Sequence, residues 1–282
     1  MSSNAAPIDW LVVGAGSAGC VVAARLAELP DANVVLLEAG GSGPPALVDR
    51  VGSSSFFDAL DAPGALWDGL TVRRRSGSAS VAYPRGRMLG GCSAVNAMVA
   101  LPGGPFANER SAQRHRIPIE TVPPAELGPV DRALLHAAPD AMPAPLNRID
   151  GRRVSAFDAY LGRWAEPSKG RLGIRTDAEV SRILIEGDRA VGVELTTGEQ
   201  VIAARTVLCA GAIGSPVLLL RSGVTTAGIG EGITDHPAAA ITLGLVPEAV
   251  ADPSSNVCGA LLARSPAQVL SMNHLGPRAP GY

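Results

Sequence analysis

The chain has 282 residues, which at about 150 residues per domain suggests roughly two domains or one large one. Apolar residues make up 46% and charged residues 18%, and 24 basic against 26 acidic side chains leave a net charge of −2. That balance argues against a nucleic-acid or polyanion binder, and aromatics at 4% argue against a base-stacking surface. Gly (33) and Pro (23) are abundant enough to mark many tight turns, yet stay below the level of a disordered chain. Cys20, Cys92, Cys209 and Cys258 lie far apart, with no C-x-x-C pair. Neither a zinc knuckle nor a disulfide scaffold is expected, and reduced thiols fit a cytoplasmic protein. The first residues read as neither basic n-region nor apolar h-region, and charges and prolines interrupt each apolar stretch before it reaches transmembrane length.

In chain order, residues 8–13 (IDWLVV) predict a buried parallel strand. Gly14-Ala15-Gly16-Ser17-Ala18-Gly19 follows at once. Residues 20–29 predict a helix, and residues 33–37 predict a second strand ending at Glu38. The order is strand, G-x-G-x-x-G, helix, strand, acid. Gly14 permits the turn out of the strand, Gly16 lets a pyrophosphate approach the backbone, and Gly19 allows close helix–strand packing. The helix N-terminus presents N–H groups to phosphates. Glu38, nineteen residues after Gly19, stands where a carboxylate accepts from the ribose hydroxyls and repels a 2′-phosphate. These features predict a dinucleotide site without choosing between FAD and NAD.

Further on, Gly90-Gly91 predicts a turn opening a short helix over residues 92–100, a second candidate phosphate cradle. A β-meander is predicted from residues 172–175, 183–185, 190–195 and 199–203, with turns at Gly187-Asp188 and Thr197-Gly198. Residues 206–209 predict a further strand. Ser215-Pro216 reads as an N-cap with proline at the first helical position, and Gly223 as the stop.

Four blocks resemble the glucose-methanol-choline (GMC) family of FAD-dependent oxidoreductases. They are LEAG at 37–40, PRGRMLGGCSAVNAM at 84–98, GAIGSPVLLLRSGV at 211–224, and Asp235-His236-Pro237. The compact Ala-, Arg- and Gly-rich form resembles actinobacterial members, including those associated with the redox cofactor mycofactocin. The resemblance implies an α/β fold: a Rossmann-type FAD-binding domain with a β-meander, plus the start of an α+β substrate domain. The expected divisions are residues 1–101 (FAD domain, first part), 102–150 (variable proline-rich segment), 151–232 (FAD domain, second part) and 233–282 (start of the substrate domain).

By that resemblance the FAD-contacting residues are Gly14, Gly16, Ser17, Ala18, Gly19, Glu38, Ala39, Arg87, Gly90, Gly91, Ser93, Asn96, Ala97, Met98, Val99, Val180, Ala210 and Gly211. Cys92 is expected to be a small buried residue beside the flavin. The implied activity is oxidation of a small-molecule alcohol, with hydride passing to flavin N5 and on to an electron acceptor. Family members run well beyond residue 282 and there supply the His that acts as base. None of His115, His136, His236 and His274 matches that position, so no catalytic residue is assigned. No metal site is expected. The expectation is a short form lacking the base, or alternatively a non-catalytic FAD-binding subunit completed by a complementary C-terminal chain.

Overall fold

A computed structural model describes residues 6–43, 45–101, 117–162, 171–250, 256–264 and 267–273. The chain divides into two compact units. The first takes Met1–Pro44, Gly64–Ala94 and Ser155–Asp235, and the second takes Pro45–Pro63, Val95–Val154 and His236–Tyr282.

The first unit is built on a six-stranded mixed sheet. Strand β1 (Ile8–Val13) leads into helix α1 (Ser17–Leu26) and strand β2 (Val34–Leu37). Strands β3 (Leu172–Arg175), β4 (Val180–Glu186), β5 (Arg189–Leu195) and β6 (Gln200–Leu208) follow, then helix α2 (Gly211–Arg221). The order across the sheet is β3-β2-β1-β6-β5-β4. The β3-β2-β1-β6 half is parallel, and β6-β5-β4 is an antiparallel meander. The central strands read as continuous apolar runs because both faces are covered: Leu11, Val12, Val34 and Leu36 are fully buried. Leu11, Val13 and Leu37 form one core with Val180, Val193 and Leu218.

The structure corrects four expected elements. Residues 172–175 stand outside the meander, as β3 paired parallel to β2 at the opposite edge of the sheet. Residues 199–203 and 206–209 are one strand, because β6 pairs with β5 at its start and with β1 along its second half. Helix α2 starts at Gly211 rather than at Ser215, so Pro216 lies inside it and cannot donate to the carbonyl one turn back. Gly223, with φ +80°, does follow the helix end. The expected helix over 92–100 is one 3-10 turn, Gly91–Ala94. It ends there because Asn96 Oδ1 accepts from Met98 N at 3.0 Å, a local turn that competes with the helix, and Met98 adopts φ +63°.

Ser222 ties α2 to the meander. Its hydroxyl accepts from Ile183 N at 2.7 Å and donates to Leu218 O at 2.6 Å. Ser222→Ala leaves the Ile183 amide unpaired and should cost about 1–3 kcal/mol, readable as a lower urea midpoint at unchanged slope.

The second unit contains the helix Pro129–Ala137 and a three-stranded antiparallel sheet of Met142–Pro143, Ala260–Arg264 and Ala267–Leu270. A tight hairpin pairs Arg148–Ile149 with Arg152–Arg153 through Asp150-Gly151, both at positive φ, as a two-residue turn requires. Met98, Val122, Leu146, Cys258 and Leu261 form the core. Among the described residues, no helix is long and apolar enough to cross a membrane.

Candidate functional site

The expected glycine motifs converge in the first unit. Gly14 leaves β1 at φ +98°, and a Cβ there would stand 2.6 Å from the Cys209 carbonyl oxygen. Gly91, at φ +51°, passes so close to Gly16 that its Cβ would lie 2.7 Å from Gly16 Cα. A Cβ on Gly16 meets nothing nearer than 4.0 Å. The two loops therefore face each other as bare backbone, with open space at Gly16. Ala15 holds the pair together: its carbonyl accepts from Gly90 N at 2.8 Å. Ser17 and Ala18 open α1 on its exposed side, and no side chain caps that terminus. The first N–H groups of the helix, at the positive end of its dipole, are thus left without a side-chain cap.

Glu38 closes the arrangement at the end of β2. It is buried, and its carboxylate accepts from Ala15 N at 2.8 Å and Gly40 N at 2.9 Å. Ala39, between Glu38 and Gly40, is half-buried. Burial pushes the Glu38 carboxyl above its usual range, while the Gly40 and Ala15 N–H groups and Arg87 pull it back. A carboxyl with a raised folded-state pKa contributes stability at low pH that is lost as pH rises through that pKa. Glu38→Gln should therefore flatten the fall in melting temperature just above the ordinary glutamate range. An unchanged slope in thermal melts across that window would contradict this.

Arg87 Nη2 pairs with Glu179 at 3.0 Å, and its guanidinium stands 5.0 Å from the Trp67 ring centre. Its Nε is buried with no hydrogen-bond partner among the described residues. Gly40 packs directly on the Arg87 carbonyl. Val180 is buried at the start of β4, and Cys209-Ala210 form the turn between β6 and α2, with Gly211 as the first residue of the helix. Ser93 is buried, donating to Gly90 O at 2.6 Å and accepting from Ala156 N at 2.9 Å. Cys92 is exposed rather than buried, because the 3-10 turn directs Gly91, Ser93 and Ala94 inward and the residue between them outward. Cys20 is the buried thiol of this region, pushed up to about 12 by burial.

Asn96, Ala97, Met98 and Val99 fall in the second unit. There Asn96 Oδ1 accepts from Arg153 Nη1 at 2.9 Å, Met98 is buried, and Ala97 and Val99 are half-buried. His115 and His274 lie outside the described residues. His236 is exposed, and the Asp235 before it accepts from Tyr83 Oη at 2.9 Å and pairs with Arg85 at 3.7 Å. Sequence reasoning missed this clamp and the Arg87–Glu179 pair. Tyr83 and Asp235 are 152 positions apart, and no spacing rule links them.

Fold and cradle together define an α/β dinucleotide-binding protein. The GMC oxidoreductase family profile matches residues 141–238. A GMC-type oxidoreductase of Rhodococcus erythropolis is 32% identical over 297 residues, covering 81% of this chain and 58% of the relative. The mitochondrial choline dehydrogenase of Homo sapiens is 32% identical over 305 residues, covering 81% and 50%. The crystal structure of pyridoxine 4-oxidase from Mesorbium loti superposes with a TM-score of 0.67 at 29% identity, covering 77% and 52%. The chain thus matches the GMC oxidoreductase family profile and GMC-type relatives, and it spans about half the length of the curated relatives it matches. FAD is the cofactor of this family, and the bare Gly16–Gly91 approach with the uncapped α1 terminus fits its pyrophosphate.

Proposed function

We propose that this polypeptide is the FAD-holding part of an oxidoreductase that oxidises a CH–OH group of a small-molecule alcohol. The close, side-chain-free approach of Gly91 to Gly16 beside the uncapped start of α1 carries the reading. There, Gly16, Ser17 and Ala18 offer the pyrophosphate the backbone and dipole of the α1 start, while Gly14, Gly19, Gly90 and Gly91 shape the approach as bare backbone, the N–H groups of Gly14, Gly90 and Gly91 being donated to the Leu37, Ala15 and Met88 carbonyls. Glu38 and Ala39 receive the ribose, and the backbone at Val180 meets the adenine. Arg87, Ser93 and Ala210-Gly211 border the cofactor. Bound FAD supplies the hydride acceptor, while the protein supplies orientation and exclusion of water. Choline and pyridoxine, named by two relatives, are the first donors to test.

The purified chain, gel-filtered after loading with FAD, should keep the two flavin bands in its visible spectrum. A folded but colourless product would overturn the reading.

A further inference from the structure

Arg73, Arg74 and Arg75 occupy the loop of a small ribbon in the first unit, which pairs Thr71–Val72 with Val81–Ala82. Residues 73–77 are all exposed. Ser78 N donates to Arg75 O at 3.1 Å and Gly77 lies at φ +77°, so residues 75–78 close a type II turn. The Ser78 hydroxyl pins that turn, donating to Arg75 O at 2.9 Å. Ser76 is left at its outer corner, and the Ser76 hydroxyl bonds to no described residue. Arg25, Arg87, Arg175 and Arg182 of the same unit each meet a carboxylate. Arg73, Arg74 and Arg75 meet none among the described residues, and the sequence holds no Asp or Glu between Asp68 and Glu109. Two arginines, one further residue and a serine occur in that order twice, as Arg73-Arg74-Arg75-Ser76 and as Arg152-Arg153-Val154-Ser155. The fold separates the two. Ser155 is buried, caps the helix Ala156–Tyr160, and its hydroxyl donates to Asp158 at 2.7 Å. Ser76 joins the same arginine spacing to an exposed hydroxyl at a turn corner.

We propose that Ser76 is a phosphorylation site for an arginine-directed serine kinase, whose acidic substrate groove pairs with Arg73 and Arg74. The γ-phosphoryl group of ATP passes to Ser76 Oγ. The Oγ–P bond forms, the bond from that phosphorus to the β,γ-bridging oxygen breaks, ADP leaves with the electron pair, and the hydroxyl proton goes to the carboxylate base of the kinase. Phosphoserine carries about −1.5 to −2 charge at neutral pH, which offsets half or more of the charge of the three arginines. The site stands whether or not the chain holds FAD.

The test treats the whole chain, checked as folded by circular dichroism, with MgATP and the catalytic subunit of cyclic-AMP-dependent protein kinase, an arginine-directed enzyme. Mass spectrometry of chymotryptic peptides then places the phosphate. One phosphate per chain is expected, on Ser76. Ser76→Ala should remove it, and Arg73→Ala with Arg74→Ala should lower kcat/KM for the chain at least about tenfold. Short peptides spanning residues 70–82 and 149–161 should both be accepted, because neither buries its serine, so silence at Ser155 in the chain reads the fold rather than the arginine spacing. Overturning results are phosphate on Ser155 of the folded chain, phosphate on Ser78 in place of Ser76, an unchanged rate in the arginine variant, or no phosphate on a folded chain whose 70–82 peptide is accepted. Co-sedimentation with phosphatidylserine vesicles that depends on these arginines, with no phosphate incorporated, would make the loop a membrane contact instead.

Discussion

Gly19→Ala should destabilise the first unit by about 3 kcal/mol or more and abolish flavin retention, whereas Gly16→Ala should lose flavin with little change in stability. A Cβ on Gly19 would stand 1.8 Å from the Gly14 carbonyl oxygen, with Cys209 Cβ at 3.2 Å behind it. Both neighbours are held by β1 and β6, so α1 must move off the sheet. At about 2–4 °C per kcal/mol for a body of this size, the melting temperature should fall by about 6–12 °C. A Cβ on Gly16 clears the protein at 4.0 Å, and Gly16 has φ −79°, which any residue adopts. The added methyl occupies only the space assigned to the pyrophosphate. Apoprotein stability should stay within about 0.5 kcal/mol, while FAD affinity should fall at least about tenfold, or about 1.4 kcal/mol. Thermal melts of the apoproteins and FAD titrations by fluorescence quenching read the two quantities separately. Gly162→Ala, with nothing within 4 Å of its Cβ, is the control. Equal FAD affinity in Gly16→Ala would remove the pyrophosphate from this loop.

The second large effect is expected at Asp131→Ala, with a loss of about 3–5 kcal/mol and cooperative unfolding of the second unit at lower urea. Asp131 is fully buried. Its Oδ2 accepts from Gly128 N at 2.8 Å and Asn273 Nδ2 at 2.6 Å, and its Oδ1 accepts from Gly259 N at 3.0 Å and from the Ser271 hydroxyl. One carboxylate thus joins the start of the Pro129–Ala137 helix to both ends of the Ala260–Leu270 hairpin. Alanine leaves these donors buried without an acceptor, at about 1–3 kcal/mol each before relaxation. Asp131→Asn keeps one oxygen but turns an NH2 toward donors, and should fall between wild type and alanine. Urea denaturation followed by circular dichroism measures all three. A change below about 1 kcal/mol for alanine would mean that water replaces the carboxylate.

Arg148 shows the same logic with opposite charge. It is fully buried, donating to Glu126 at 2.9 Å, Asn256 at 3.0 Å and Glu120 at 3.2 Å. It lines a cavity of about 790 Å³ together with Arg132, Glu126 and Asp150. The three arginines of that wall are already engaged, Arg148 by carboxylates, Arg152 by Asp49 at 3.3 Å and Arg132 by the carbonyls of Leu127 and Pro124. The cavity therefore presents paired charges rather than an empty anion site.

The sequence by itself determined the β1–α1–β2 unit, the glycines and Glu38 of the cradle, the meander and the family. Each of these is written locally. Apolar runs of four to six residues, glycine turns and an acid at fixed spacing act within one supersecondary unit. The boundaries that sequence reasoning misplaced sit where a distant contact overrides a local signal. Pro216 marks a helix start by its own chemistry, yet α2 begins at Gly211, directly after the turn out of β6. Only the tertiary structure decided that β6 runs beside β1, that Gly91 meets Gly16, and that Asp131 joins residues 128 to 273 in one hydrogen-bond junction. The reason is that pairings across tens to hundreds of residues depend on which surfaces remain to be buried after local elements form, and no periodicity in the chain encodes that choice.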